Sequence, residues 1–263
     1  FPKHQFSWKV LGAVLKETGR VSESLVASQK SVQLAPQDAE PHNSIGVALQ
    51  ELGRLDEAET SLMQAIALKP DFVEAHYNLG ITLKKLGRLD EAEACYTQAI
   101  ALRTDYADAH NNFGILLQEL GRLDEAEACY TQAIAVRPDY AEAHSNLGNT
   151  LKELSRLEEA EASYKQAIVL KSDYAEAYSN LGITLQELGR LDEAEVSYKQ
   201  AIALKSDNAE THKNLGITLQ GLGRVEEAEV SYTQAIALKP DNAETHNSLL
   251  RCLYLLDKQS LFF

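Results

Sequence analysis

The chain has 263 residues with 25 Lys and Arg against 39 Asp and Glu, giving a net charge of −14. That excess disfavours non-specific attraction to nucleic-acid phosphates or anionic lipid. No run of 18 or more apolar residues or signal-peptide pattern is present, and three cysteines do not make a disulfide framework; together these predict a reducing, cytoplasmic setting.

In chain order, one pattern recurs from the start. Residues 86–101 and 120–135 are the same sixteen residues, LGRLDEAEACYTQAIA. Units starting at Gln5, Ala39, Val73, Ala107, Ala141, Ala175 and Ala209 follow without insertion or deletion, as residues 5–38, 39–72, 73–106, 107–140, 141–174, 175–208 and 209–242. Residues 1–4 are expected to be the tail of an upstream repeat, since Pro2 falls in phase with Pro36. Residues 243–263 read as a partial eighth unit that has lost its Gly-Arg turn and carries Leu249, Leu250, Leu253, Leu255, Leu256, Leu261, Phe262 and Phe263. A piece of a longer array is expected, with apolar ends prone to end-to-end self-association.

Each unit reads as two helices. The first, as in Ala75–Leu86, has apolar residues at the spacing of one helix face. A Gly-Arg pair such as Gly87-Arg88 supplies the left-handed residue that ends it. The second runs from LDEAEA to AIAL, with acids in its first turn, where they complement the helix dipole. Pro36, Pro70, Pro138 and Pro240 then stop it. Asp71 and Asp139 are expected to cap the following helix, with Glu74 and Glu142 completing capping boxes.

In the unit 73–106, His76, Leu79, Gly80, Leu83, Ala92, Tyr96 and Ala99 carry the spacing that resembles the tetratricopeptide repeat, with Thr104 in place of the usual Pro. The resemblance implies an all-α, right-handed superhelical solenoid of antiparallel helix hairpins. Gly80 and Ala92 are small so that the two helices can approach, and the larger residues fill the space around that contact. The first unit is the most divergent, with Ser24, Ser28 and Ser31 where Ala, Tyr and Ala are usual.

Several ladders follow from the period. His42, His76, His110, His144, His212 and His246 share a slot with Trp8 and Tyr178. Rungs ~8–10 Å apart cannot share one ion, so these side chains are read as packing, with no metal and no cofactor. Cys95 and Cys129 are likewise too far apart to bond. The row Glu40, Glu74, Asp108, Glu142, Glu176, Glu210 and Glu244 is read as helix capping ahead of attraction for a basic partner. Nothing resembles a catalytic constellation, so the chain is not read as an enzyme.

The ladder that points to function is Asn78, Asn112, Asn146, Asn180 and Asn214. Its place on the first helix puts it on the concave face, where amides can bond an extended backbone without reading side chains. The expected surface adds Tyr77, Asn111 and Lys213 one residue before the row, the aliphatic Ile81, Ile115, Ile183 and Ile217, and Lys84 and Lys152 further along the helix. The stretch Ala143–Glu153 looks like the tetratricopeptide superhelix of O-linked N-acetylglucosamine transferases, which implies a peptide groove and a catalytic domain elsewhere in a parent chain. Asn in this slot can equally join neighbouring repeats. The carboxylate clamp of chaperone-binding relatives is excluded, because Lys213 and Arg251 stand alone without the required cations in register. The expected partner is a protein or peptide, with self-association as the alternative.

Overall fold

The computed structural model describes residues 4–260, with side chains as far as 257. The expected repeat remnant around Pro2 and the apolar residues Leu261, Phe262 and Phe263 lie outside the described residues. All regular structure among the described residues is α-helical. Two compact units divide the chain, Phe1–Val136 and Arg137–Phe263.

The first unit holds four hairpins. They pair α1 (Gln5–Glu17) with α2 (Val21–Leu34), α3 (Ala39–Glu51) with α4 (Leu55–Leu68), α5 (Val73–Lys85) with α6 (Leu89–Leu102), and α7 (Ala107–Glu119) with α8 (Leu123–Val136). The second unit pairs α9 (Ala141–Glu153) with α10 (Leu157–Leu170), α11 (Ala175–Glu187) with α12 (Leu191–Leu204), and α13 (Ala209–Gly221) with α14 (Val225–Leu238), and adds α15 (Ala243–Ser260). Within each unit a second helix packs on the next first helix, and successive first helices also touch one another. Each unit is therefore a solenoid of helix hairpins, with first helices on the inside of its curve.

Close approach within a hairpin depends on glycine. A Cβ on Gly80 would lie 2.8 Å from the Tyr96 ring, and one on Gly148 2.7 Å from Tyr164. Tyr96, Tyr130, Tyr164, Tyr198 and Tyr232 are fully buried in this slot, so a large ring and a bare backbone interlock in these five repeats, while Leu62 lies against Gly46 and Ser28 against Gly12. The first helices end on a left-handed residue, for example Gly87 at φ 76°. The next amide then reaches back, as Arg88 N–H does to Leu83 O at 2.9 Å. Ser155 fills this slot at φ 60°, where a side chain is strained.

The expected capping boxes at Asp71 and Asp139 do not form. Helix α5 is capped at Phe72 and α9 at Tyr140, one residue later, with no side-chain cap bond. The aromatic ring at this place is covered by the cation three residues before it. Arg137 lies 4.2 Å from the Tyr140 ring centre and Lys69 5.1 Å from that of Phe72. Where Asp or Asn stands at the same place, capping occurs. Asp38 accepts from Glu40 N–H at 3.1 Å and Asn208 from Glu210 N–H at 3.0 Å.

The acidic row turns instead to ion pairs. Glu74 meets Arg103 at 2.5 Å and Glu142 meets Lys171 at 3.0 Å, while Glu40 pairs with Lys9. The Arg103 hydrogen bond holds the Glu74 carboxyl below its usual range, although burial, the largest influence, pushes the other way.

Candidate functional site

The histidine slot has a structural task that its spacing did not reveal. His76 Nε2–H donates to Pro70 O at 2.8 Å and His246 Nε2–H to Pro240 O at 2.8 Å, tying the start of a first helix to the turn before it. A second unforeseen ladder links repeats through the turn arginine. Arg88 reaches Glu59 at 2.7 Å and Arg122 reaches Glu93 at 2.7 Å, and in the second unit Arg190 meets Glu161 and Arg224 meets Glu195, each at 2.6 Å. Each of these arginines also holds the glutamate three residues on, such as Glu91 for Arg88 at 2.6 Å. The signal lay in a glutamate 29 residues before each of these arginines.

In the first unit the asparagine row joins repeats. Asn78 Nδ2 donates to Asn43 Oδ1 at 2.9 Å, and Asn112 Nδ2 to the Tyr77 hydroxyl at 2.8 Å. Tyr77 also packs at 5.0 Å from the Tyr106 ring and 6.3 Å from Tyr96. Asn111 is only 4% exposed and lies within the stack, its Nδ2 3.4 Å from Asn112 Oδ1. Ile81 and Ile115 are half-buried.

Three of the expected residues meet at one hollow. Ile81, Lys84 and Asn112, with Lys85, Tyr96 and Glu119, line a cavity of about 390 Å³ between α5 and α7. Lys84 is held 2.8 Å from Glu119 at its rim. Burial pushes the Tyr96 phenol well above its ordinary value, so the hydroxyl stays protonated.

In the second unit Asn180 Nδ2 donates to Asn149 Oδ1 at 3.0 Å, and Asn149 also accepts from the Tyr164 hydroxyl at 2.7 Å. Asn146 and Asn214 are half-buried on the same side of their helices, as are Ile183, Ile217 and Lys152. Lys213 is 7% exposed, with its ammonium 2.6 Å from Glu210 and 3.0 Å from Glu244. Burial lowers its pKa, but the two carboxylates outweigh it and hold the group above its ordinary value. Lys213 thus fastens α13 to α15.

Among the described residues no group of three or more His, Cys, Asp or Glu is placed to hold a metal ion. The described cysteines are free, and burial pushes the Cys95 and Cys129 thiols up to about 11. Among the described residues no helix is long and apolar enough to cross a membrane.

Residues 73–260 match the family described as the cilia and flagella-associated protein 70 C-terminal domain, and residues 48–87 match the family described as TPR repeat. No curated protein matches by sequence. Among solved structures the chain is similar to the APC/C hetero-tetramer Cut9-Hcn1, with a TM-score of 0.75 and 20% identity over 94% of this chain; it spans 48% of the length of that one. It is also similar to pilF of Pseudomonas aeruginosa, with a TM-score of 0.72 and 18% identity over 80% of this chain and 95% of that one. YrrB, described as a TPR protein with an unusual peptide-binding site, has a TM-score of 0.61 and 22% identity, covering 71% of this chain and 96% of that one. At these identities the likeness is one of fold, and proteins of this fold are generally interaction modules rather than catalysts. The chain belongs to the tetratricopeptide repeat family, with residues 73–260 belonging to the family of the cilia and flagella-associated protein 70 C-terminal domain.

Proposed function

We propose that the chain is a protein-interaction module whose first-helix faces bind an extended polypeptide segment. The observation that carries this is the cavity between α5 and α7, where aliphatic, amide, phenolic and charged groups converge. The asparagine rows of the two units supply the polar contacts. Asn78 and Asn180 give their Nδ2 groups to neighbouring repeats, and their Oδ1 atoms have no partner among the described residues. These half-buried acceptors suit the N–H groups of an extended backbone, and the stack fixes their orientation before any ligand arrives.

Panning a random-peptide display library on the protein tests this. Asn78→Ala with Asn112→Ala in the first unit, and Asn180→Ala with Asn214→Ala in the second, should each lower capture while the helical circular dichroism stays unchanged. Peptides that bind these variants as well as the parent would refute the reading.

A second reading rests on exposed apolar end helices. Phe6 is 73% exposed on α1, and Leu250 and Tyr254 on α15 are 64% and 60% exposed. Self-association through these faces would raise the sedimentation coefficient with concentration; a strictly monomeric protein would refute it.

A further inference from the structure

The buried tyrosines that lie against first-helix glycines end in hydroxyls that need an acceptor, and the first helix usually supplies one. Tyr130 donates to Gln118 Oε1 at 3.2 Å, Tyr198 to Gln186 Oε1 at 3.1 Å and Tyr232 to Gln220 Oε1 at 2.9 Å. In Tyr164's repeat Lys152 holds the glutamine's place, and Asn149 Oδ1 accepts at 2.7 Å instead.

Tyr96 is the exception. Lys84 stands where the glutamine would be and has hydrogens but no acceptor, while Ile81 stands where Asn149 does. The Tyr96 hydroxyl thus has no hydrogen-bond partner among the described residues, although the side chain is only 1% exposed. Tyr96, Lys84 and Ile81 all line the α5–α7 cavity, so the unmatched hydrogen opens onto it. A donor left unmade at a buried place is costly, and an acceptor brought by a ligand recovers that loss.

The same rim carries an unusual charge. Other first helices end on Glu17, Glu51, Glu119, Glu153 and Glu187, whereas α5 ends on Lys85. Lys84 is held by Glu119, but Lys85 is exposed and has no ion-pair partner among the described residues. Lysine outnumbers glutamate two to one around the cavity, in a chain that is acidic as a whole.

We infer that the α5–α7 cavity receives an acidic side chain of the bound polypeptide, its carboxylate accepting from the Tyr96 hydroxyl and paired with the ammonium groups of Lys84 and Lys85. An amide oxygen would accept the same hydrogen but leave Lys85 unanswered. The inference deepens the polypeptide reading above and rests on it, yet the two can fail separately.

The probe is N-acetylglutamate N-methylamide, whose only carboxylate is that of the side chain. It is titrated into isotopically labelled protein and followed by NMR, with the glutamine analogue as control. The amides of Lys84, Lys85 and Asn112 should shift at millimolar concentration, the scale for so small a ligand. The glutamine analogue should bind about tenfold more weakly, for want of charge. Tyr96→Phe should weaken the glutamate probe about tenfold. Its urea midpoint should match the parent's, because the lost hydroxyl held nothing, whereas Tyr130→Phe should unfold at lower urea. Lys84→Gln supplies the acceptor found in three other repeats, and Lys85→Glu the carboxylate that ends most first helices; either should abolish the shifts. No shift in the parent, equal binding of the two analogues, or undiminished binding by Tyr96→Phe would overturn the inference and leave the polypeptide reading standing. In the display experiment, peptides captured by the parent should be enriched in Asp and Glu and lose that enrichment on Lys84→Gln. Capture without this enrichment overturns the inference alone, whereas an unaltered protein that captures no peptide overturns the broader reading and the inference with it.

Discussion

Asn112 Nδ2 lies 2.8 Å from the Tyr77 hydroxyl, so one amide of the expected ligand row is already engaged with the preceding repeat. Its other amide atom, Oδ1, lies 3.4 Å from Asn111 Nδ2. Tyr77→Phe removes the hydroxyl but keeps the ring against Tyr106 and Tyr96. The variant should lose about 1 kcal/mol in urea unfolding, while peptide capture is retained because Asn112 remains. Loss of capture without loss of stability would place the hydroxyl itself at the ligand.

Gly148→Ala should be more damaging. Its Cβ would sit 2.7 Å from the Tyr164 ring, which is fully buried and cannot step aside. Overpacking of this kind costs about 1–3 kcal/mol, measured as a fall in the denaturation midpoint. Gly12→Ala, whose nearest foreign atom is Ser28 Oγ at 3.0 Å, should cost less.

Ser155→Gly should stabilise the protein. Ser155 occupies φ 60° in a slot that six other repeats fill with glycine. Relieving the clash between a Cβ and the following carbonyl is worth about 1 kcal/mol, net of the entropy glycine adds to the unfolded chain. An unchanged or lower melting temperature would contradict the strain argument.

Ser31→Ala should act in the same direction. Ser31 Oγ is fully buried and has no hydrogen-bond partner among the described residues. Removing an unsatisfied hydroxyl from an alanine slot should gain about 1 kcal/mol in urea unfolding.

The arginine ladder makes stability depend on acid. Hydrogen bonding from Lys199 holds the Glu195 carboxyl below its ordinary value, opposed by burial and aided by Arg224. A carboxylate depressed in the folded state adds stability that is present above its unfolded pKa, about 4.3, and is lost as pH falls through the folded value. Denaturation midpoints should therefore fall as pH drops below about 4.3. Glu195→Gln should flatten part of that decline and lower stability at neutral pH. An identical pH profile in the variant would show that the pair contributes nothing.

The sequence by itself determined the period, the pairing of helices into hairpins, and the small and large residues that meet within a hairpin, such as Gly80 and Tyr96. These depend on residues at most one repeat length apart, so composition and spacing carry them. It also marked Ile81, Lys84 and Asn112 as members of one face. It misplaced the helix caps by one residue, because an Asp beside an aromatic reads as a cap, whereas the ring's contact with the cation at the end of the preceding helix belongs to the folded turn. Only the tertiary structure decided which neighbour each polar ladder meets. Asn78 and Asn43 are 35 residues apart, and Arg88 and Glu59 are 29 apart. Those meetings depend on the distance and rotation between stacked repeats, which no single repeat encodes.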